Sequence, residues 1–141
     1  PQLIVLHYTA MDTTEAALQR LCDPQHEVSA HYLISPKGII WQMVDEAQRA
    51  WHAGQSCYAG RDNCNDLSTC IELPGTDDDA YTDIQYVTLT AVSSTVLSHY
   101  RGMSRRRIVG HSDIAPGRKT DPGPAFDWTK YRSLIAGPGD A

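Results

Sequence analysis

No Cys-x-x-Cys pair occurs among the four cysteines, Cys22, Cys57, Cys64 and Cys70, and without one a thiolate zinc site has little support. The four are read as reduced thiols in a cytosolic setting; a Cys57–Cys64 disulfide is compatible with the spacing but not indicated by it. No apolar stretch approaches the roughly 20 residues of a membrane span, so membrane insertion is not expected. Positive charge is not in excess: the formal net charge of −5 argues against nucleic acid and anionic membrane surfaces as primary partners. There are no internal repeats and no low-complexity segments. The chain opens on strand-like sequence, without the charged start, apolar core and cleavage site of a signal peptide. Pro1 is not an initiator methionine, which leaves room for an upstream segment.

The 141 residues suffice for one domain with a real core. The 41% hydrophobic and 21% charged content is that of a globular chain. Asp12-Thr13-Thr14-Glu15 reads as a helix start, with Ala17, Leu18, Leu21 and Cys22 at helical spacing and Pro24 as the stop. Tyr32–Ile34 and Ile39–Val44 flank Ser35-Pro36-Lys37-Gly38 and read as a hairpin. Residues 53–69, rich in Gly, Asn, Asp and Ser, read as a long loop. A short strand is expected at 70–73. Thr82-Asp83-Ile84-Gln85 is a capping box opening the longest helix, to about Tyr100, with Ile84, Val87, Ala91, Thr95 and Leu97 or Val96 turned inward and Gly102 as its C-terminal cap. A last helix follows Asp127, with Trp128, Tyr131, Leu134 and Ile135 on one stripe. Strand, helix, hairpin, strand, helix, strand, loop, helix is the order of an α/β domain with a mixed sheet and helices packed on it.

The segment Gly110–Pro124 holds His111, Lys119 and Asp121 in a loop stiffened by prolines and glycines. Asp121 precedes Pro122 and is pushed to extended backbone, so Lys119 and Asp121 project to one side. Alone, that pair reads as a surface ion pair, which is worth little. Far upstream, His7 ends the apolar run Leu3–Leu6, and His111 follows Ile108-Val109-Gly110. Ligands of open α/β sheets gather beyond the carboxyl ends of strands. Two parallel neighbouring strands would bring His7 and His111 together there, with Asp121 as a third ligand. Two histidines, one carboxylate and an open position is a catalytic zinc arrangement. Either histidine alone is more simply a capped strand end.

Glu72 alternates with Ile71 and Leu73. It is either a solvent-facing strand residue or a carboxylate aimed at a site, where it would be a general base toward metal-bound water. Lys119 would stabilise a tetrahedral oxyanion, an effect of roughly 3–4 kcal/mol per good donor, or simply neutralise Asp121. His52 is read first as a packed or substrate-lining residue, then as an alternative ligand. His31 is read as structural, His26 and His99 as exposed. Asp113 is either an acceptor orienting the His111 ring or a loop aspartate, and Asn65-Asp66 reads as turn chemistry.

With these five residues stand Ile4-Val5-Leu6-His7, Val28-Ser29-Ala30-His31, Arg49-Ala50-Trp51-His52-Ala53-Gly54, Cys64-Asn65-Asp66-Leu67-Ser68, Ile71-Glu72-Leu73 and the segment His111–Trp128. In these spaced blocks the chain resembles the type 2 zinc N-acetylmuramoyl-L-alanine amidases, most of all the AmpD type, which acts on 1,6-anhydro-muropeptides in cell-wall recycling. The resemblance implies zinc on His7, His111 and Asp121, a zinc-bound water as nucleophile, Glu72 as general base and Lys119 as oxyanion stabiliser. It implies hydrolysis of the amide between the muramoyl lactyl group and L-alanine of the stem peptide. Ala50, Trp51, Tyr58 and Arg118 would line the substrate groove. The implied fold is a single α/β domain, a central mixed β-sheet flanked by helices, shared with peptidoglycan recognition proteins. Residues 1–136 would form the zinc amidase domain and 137–141 a short C-terminal tail. The expected partner is a muropeptide or peptidoglycan fragment, the expected state a monomer. The expected place is the cytoplasm, with the periplasm or cell envelope as the alternative. Asn63, Cys70 and Pro74 stand where many relatives carry arginine, glycine and an acidic residue, which leaves a small anhydro-muropeptide and polymeric peptidoglycan both open as substrate. A non-catalytic peptidoglycan-binding module on the same fold is the rival reading, although such relatives typically lose a zinc ligand. A purely structural zinc is disfavoured by the carboxylate and the adjacent lysine.

Overall fold

A computed structural model of the chain describes residues 1–100 and 102–136; the expected tail at 137–141 lies outside the described residues. Two apolar runs dictate the centre of the fold. Leu3–Tyr8 forms β1 and Ser68–Leu73 forms β6, and both are buried almost throughout, as parallel strands covered on both faces must be. The remaining strands are β2 (Tyr32–Ile34), β3 (Ile40–Gln42), β4 (Cys57–Tyr58), β5 (Arg61–Asp62) and β7 (Ile108–Gly110). Five of them make one sheet in the order β3-β2-β6-β1-β7; β4 and β5 make a separate small hairpin. Only β2–β3 is antiparallel in the large sheet, so the sheet is mixed and the domain is α/β.

Successive strand side chains alternate between faces, and β1 shows what each face meets. Ile4 and Leu6 join a core cluster with Ile71, Leu73, Tyr86, Leu89, Val96, Phe126 and Tyr131. Leu3 and Val5 join a second cluster with Ala53, Cys64, Leu67 and Ile114. The first face is covered by α2 (Asp83–His99) and α4 (Trp128–Ala136). The second is covered largely by the irregular segment through residues 51–67 and by the short α3 (His111–Ile114). The functional side chains gather on this second face.

The helix starts follow the sequence. Thr13 caps α1 (Thr14–Cys22) by accepting from the Ala16 N–H, and the Thr82/Gln85 capping box opens α2. The phase of α2 differs from expectation. Its buried residues are Gln85, Tyr86, Leu89, Ser93 and Val96, while Ile84 and Val87 are about half exposed. Polar residues decide the phase: Gln85 Nε2 donates to the Ile34 carbonyl at 3.1 Å, and the Tyr131 hydroxyl donates to Ser93 Oγ at 2.6 Å. Gly102 lies beyond the helix, which closes at Tyr100. In α4, Tyr131 is fully buried but Leu134 is 39% exposed. Residues 53–69 are less of a loop than expected, holding β4, β5, a tight 3₁₀ turn at Cys64–Asp66 and the first residues of β6.

Leu89→Ala should cost about 2–5 kcal/mol in urea denaturation, whereas Ile84→Ser should stay within about 0.5 kcal/mol. Equal costs would mean that the inward stripe of α2 is the one expected from the sequence.

Candidate active site

The parallel register builds the site. His7 on β1 pairs with Glu72 on β6, and Leu6 pairs with Gly110 at the end of β7. His7 and Glu72 thus share one face, and His111 begins α3 directly beyond β7. The loop carrying Asp121 closes over this edge because residue 110 is glycine: a Cβ there would lie 2.7 Å from Pro122 Cδ. The Ser112 N–H then donates to the Asp121 carbonyl at 3.0 Å, and the Tyr81 hydroxyl donates to the Pro122 carbonyl at 2.7 Å. Thr120 Oγ1 donates to the Asp77 carboxylate and accepts from the Tyr8 hydroxyl at 2.9 Å. The Asp121–Pro122 peptide is cis.

Three side chains from positions 7, 111 and 121 converge. His7 Nδ1 lies 3.0 Å from Asp121 Oδ2, and His111 Nδ1 lies 3.1 Å from Oδ1. All three residues are buried. Zinc ligands lie about 2.0–2.1 Å from the ion, so tetrahedral donor atoms are roughly 3.3 Å apart, close to the separations seen. The donor chemistry fits as well. His111 Nε2 lies 2.8 Å from the Ala53 carbonyl, which can only accept, so that nitrogen carries the proton and a neutral ring turns a bare Nδ1 toward the carboxylate. Two acceptors at contact need a cation between them. A second group, His7, His52 and Cys70, also has ligand atoms within 4.8 Å of one another. Burial pushes the Cys70 thiol well up, away from the thiolate that a metal needs, so this is the poorer ligand set.

Glu72 lies at the floor of a cavity of about 490 Å³, lined also by His7, His52, His111, Lys119 and Asp121. It is 7% exposed, and its Oε2 has no hydrogen-bond partner. A buried polar atom without a partner is costly and suits a site that receives a ligand or a polarised water. Burial first, then the charge of Asp121, holds the Glu72 carboxyl well above the usual carboxylate range, with Lys119 pulling partly against them. The His7 imidazole is lowered, chiefly by burial.

The expected groove residues separate. Trp51 stands 53% exposed on the cavity wall. Arg118 lines the same cavity while its guanidinium donates to the Ala53 and Gln55 carbonyls at 2.7 and 2.8 Å, packed over Gly54. Ala50 is fully buried, so its methyl does not line the cavity. Tyr58 is half-buried against the Leu3–Val5 cluster and is not among the residues lining the cavity. Asp113 accepts from the Gly110 N–H at 2.8 Å rather than from a His111 ring nitrogen.

The family model for N-acetylmuramoyl-L-alanine amidase matches residues 1–124. This chain belongs to the N-acetylmuramoyl-L-alanine amidase family. It is 55% identical over 109 residues to the 1,6-anhydro-N-acetylmuramyl-L-alanine amidase AmpD of Salmonella typhimurium strain SL1344, covering 77% of this chain and 58% of that one. Against the Escherichia coli K12 enzyme of the same description it is 44% identical over 153 residues, covering 96% and 83%. The solved structure of the E. coli amidase AmiD, in complex with anhydro-N-acetylmuramic acid-L-Ala-D-gamma-Glu-L-Lys, superposes with a TM-score of 0.85 at 34% identity, covering 94% of this chain and 56% of that one. The chain thus has the fold of the family's type 2 amidases. The first of these alignments spans less than two thirds of its relative's length. Among the described residues no helix is long and apolar enough to cross a membrane.

The sequence did not single out Asn65 or Ser68 for the site. Asn65 Oδ1 accepts from the N–H groups of both His52 and Ala53, at 3.0 and 2.8 Å. Nothing in the local sequence distinguishes such an acceptor from an ordinary turn asparagine.

Glu72 makes a pH test possible. In the unfolded chain its carboxyl titrates near its ordinary 4.5, but in the native state well above it. Between the two values the native state binds more protons, so this group's contribution to stability is full below about pH 4.5 and is lost as pH rises through the native pKa. Glu72→Gln should therefore match wild type near pH 4 and exceed it by about 1–3 kcal/mol toward pH 8, measured by denaturation of the metal-free protein. A pH-independent difference would place an ordinary, solvated carboxylate at position 72.

Proposed function

We propose that this chain hydrolyses the amide between N-acetylmuramic or 1,6-anhydro-N-acetylmuramic acid and the L-alanine of a peptidoglycan stem peptide. The proposed cofactor is zinc, held by His7, His111 and Asp121. The observation that carries the reading is the convergence of these three acceptors on one buried point beside an unpartnered Glu72 carboxyl. Family membership supports the bond type, and the muropeptide bound to AmiD supports the substrate class.

Zinc, when bound, supplies a Lewis acid for the scissile carbonyl and lowers the pKa of coordinated water. The remaining work belongs to the chain. Glu72 takes the proton of the attacking water and returns it to the leaving L-alanine amine. Lys119, on the same cavity wall, places a fixed positive charge where the carbonyl oxygen becomes an oxyanion. Trp51 offers an apolar wall for the sugar or lactyl group, and the Arg118 guanidinium faces carboxylates of the stem peptide. Residues 1–136 act as one zinc amidase domain, in this reading a monomer. The four unpaired cysteines fit a cytoplasmic setting, with the cell envelope as the alternative.

The test is product mass after incubation with soluble anhydro-muropeptide and with purified sacculi. Wild type should release free stem peptide, and chelation should abolish the release until zinc is restored. Asp121→Ala should lose zinc and activity together. Glu72→Ala should keep zinc and lose about 10²–10⁴ of the rate. A protein that binds zinc and both substrates but releases no peptide is a binding module.

A further inference from the structure

His52 and Ala53 are consecutive, and between them they touch the outer nitrogen of each candidate histidine ligand. His52 Nδ1 lies 2.9 Å from His7 Nε2, and the Ala53 carbonyl lies 2.8 Å from His111 Nε2. The direction of each bond follows from counting protons. Ser68 has one hydroxyl hydrogen, and it goes to the Cys64 carbonyl at 2.6 Å. Ser68 Oγ must then accept at its other contact, 2.8 Å from His52 Nε2, so His52 carries its proton on Nε2. A neutral ring has one proton, so His52 Nδ1 is bare and accepts from His7 Nε2–H. His7 in turn has a bare Nδ1, facing Asp121. The Ala53 carbonyl imposes the same result on His111.

We infer that His52 and Ala53, held in place by Asn65, form the outer hydrogen-bond shell that sets both candidate ligand imidazoles in the Nε2–H tautomer and aims each Nδ1 at the metal. His52 is a positioning residue and touches no substrate in this scheme. Its place is fixed on three sides. Asn65 Oδ1 holds the His52 and Ala53 amides, Ser29 Oγ accepts from the Trp51 N–H at 2.7 Å, and Ser68 fixes the ring. Imidazole ligands are commonly oriented this way by a carboxylate, a carbonyl or water; here a second imidazole takes that part for His7. The inference rests on the zinc reading above for its consequence, but the tautomers themselves are measurable without metal.

Long-range ¹⁵N–¹H spectra of the zinc-free wild-type protein, at mildly alkaline pH, should show His7, His52 and His111 all protonated on Nε2. His7 protonated on Nδ1 overturns the scheme, whatever the zinc affinity. Zinc affinity by chelator competition, with the visible spectrum of the Co²⁺-loaded protein, then tests the consequence. His52→Leu and Asn65→Ala leave all three candidate ligands in place and should each weaken zinc about 10- to 100-fold. His52→Asn keeps an acceptor near the Nδ1 position and should restore most of that loss. Leu and Asn variants that lose affinity equally, or a His52→Leu variant that binds zinc as wild type does, would falsify the positioning role. Wild-type protein that binds no zinc at all refutes the metal reading instead, and leaves the tautomers to the spectra.

Discussion

Parallel pairing of β1 with β6 on one side and β7 on the other is the constraint on which the site depends. It runs three chain segments in one direction, so their carboxyl ends finish at one edge of the sheet. The register then does the detailed placement. His7 sits opposite Glu72, and β7 ends where β1 still has two residues to run. A one-residue slip would turn His7 into the helix-covered face, among Tyr86, Leu89 and Phe126. Burial of Ile4, Leu6, Ile71 and Leu73 against that face makes such a slip costly. Apolar packing on one side of the sheet therefore locks polar geometry on the other.

The two faces are built differently for a reason. Helices satisfy their own backbone groups and have few carbonyls or amides to lend. The segment covering the second face is irregular, so its backbone groups remain available. The Ala53 and Gln55 carbonyls serve His111 and Arg118, and the His52 and Ala53 amides are tied to Asn65. Buried polar groups must be paired or pay several kcal/mol. An irregular cover is what lets this sheet bury two histidines and an aspartate with nearly every outer atom satisfied.

Much of this was legible in the residues. Apolar runs ending in His7 and preceding His111 placed both histidines at strand ends, and Pro122 placed Asp121. The capping box at Thr82 and the stop near Pro24 followed local rules that need no tertiary context. The phase of α2 did not, because Gln85 and Ser93 face inward for hydrogen bonds that hydrophobic spacing cannot register. The Ala50 side chain is buried while Trp51 is exposed, since adjacency in sequence says nothing about which way a neighbour points. Asn65 and Ser68 were opaque for a different reason. Their partners are main-chain groups and one ring nitrogen distant in the chain, and such pairings leave no pattern in a single sequence.

Glu72 and Asp121 together pose an electrostatic problem that the chain resolves only in part. Both are buried, and the charge of Asp121 opposes ionisation of Glu72. Lys119 favours the charge of Glu72, but burial and Asp121 outweigh it and hold the Glu72 carboxyl well above the usual carboxylate range. A divalent cation on the three converging acceptors would reverse the balance, because a bound ion is the largest local charge and inverts the pKa order around it. The Glu72 carboxyl would then be drawn down toward the ionised form that can accept a proton. On this account the base and the metal site are one device. The burial that raises the Glu72 carboxyl also keeps water from screening it from such a cation.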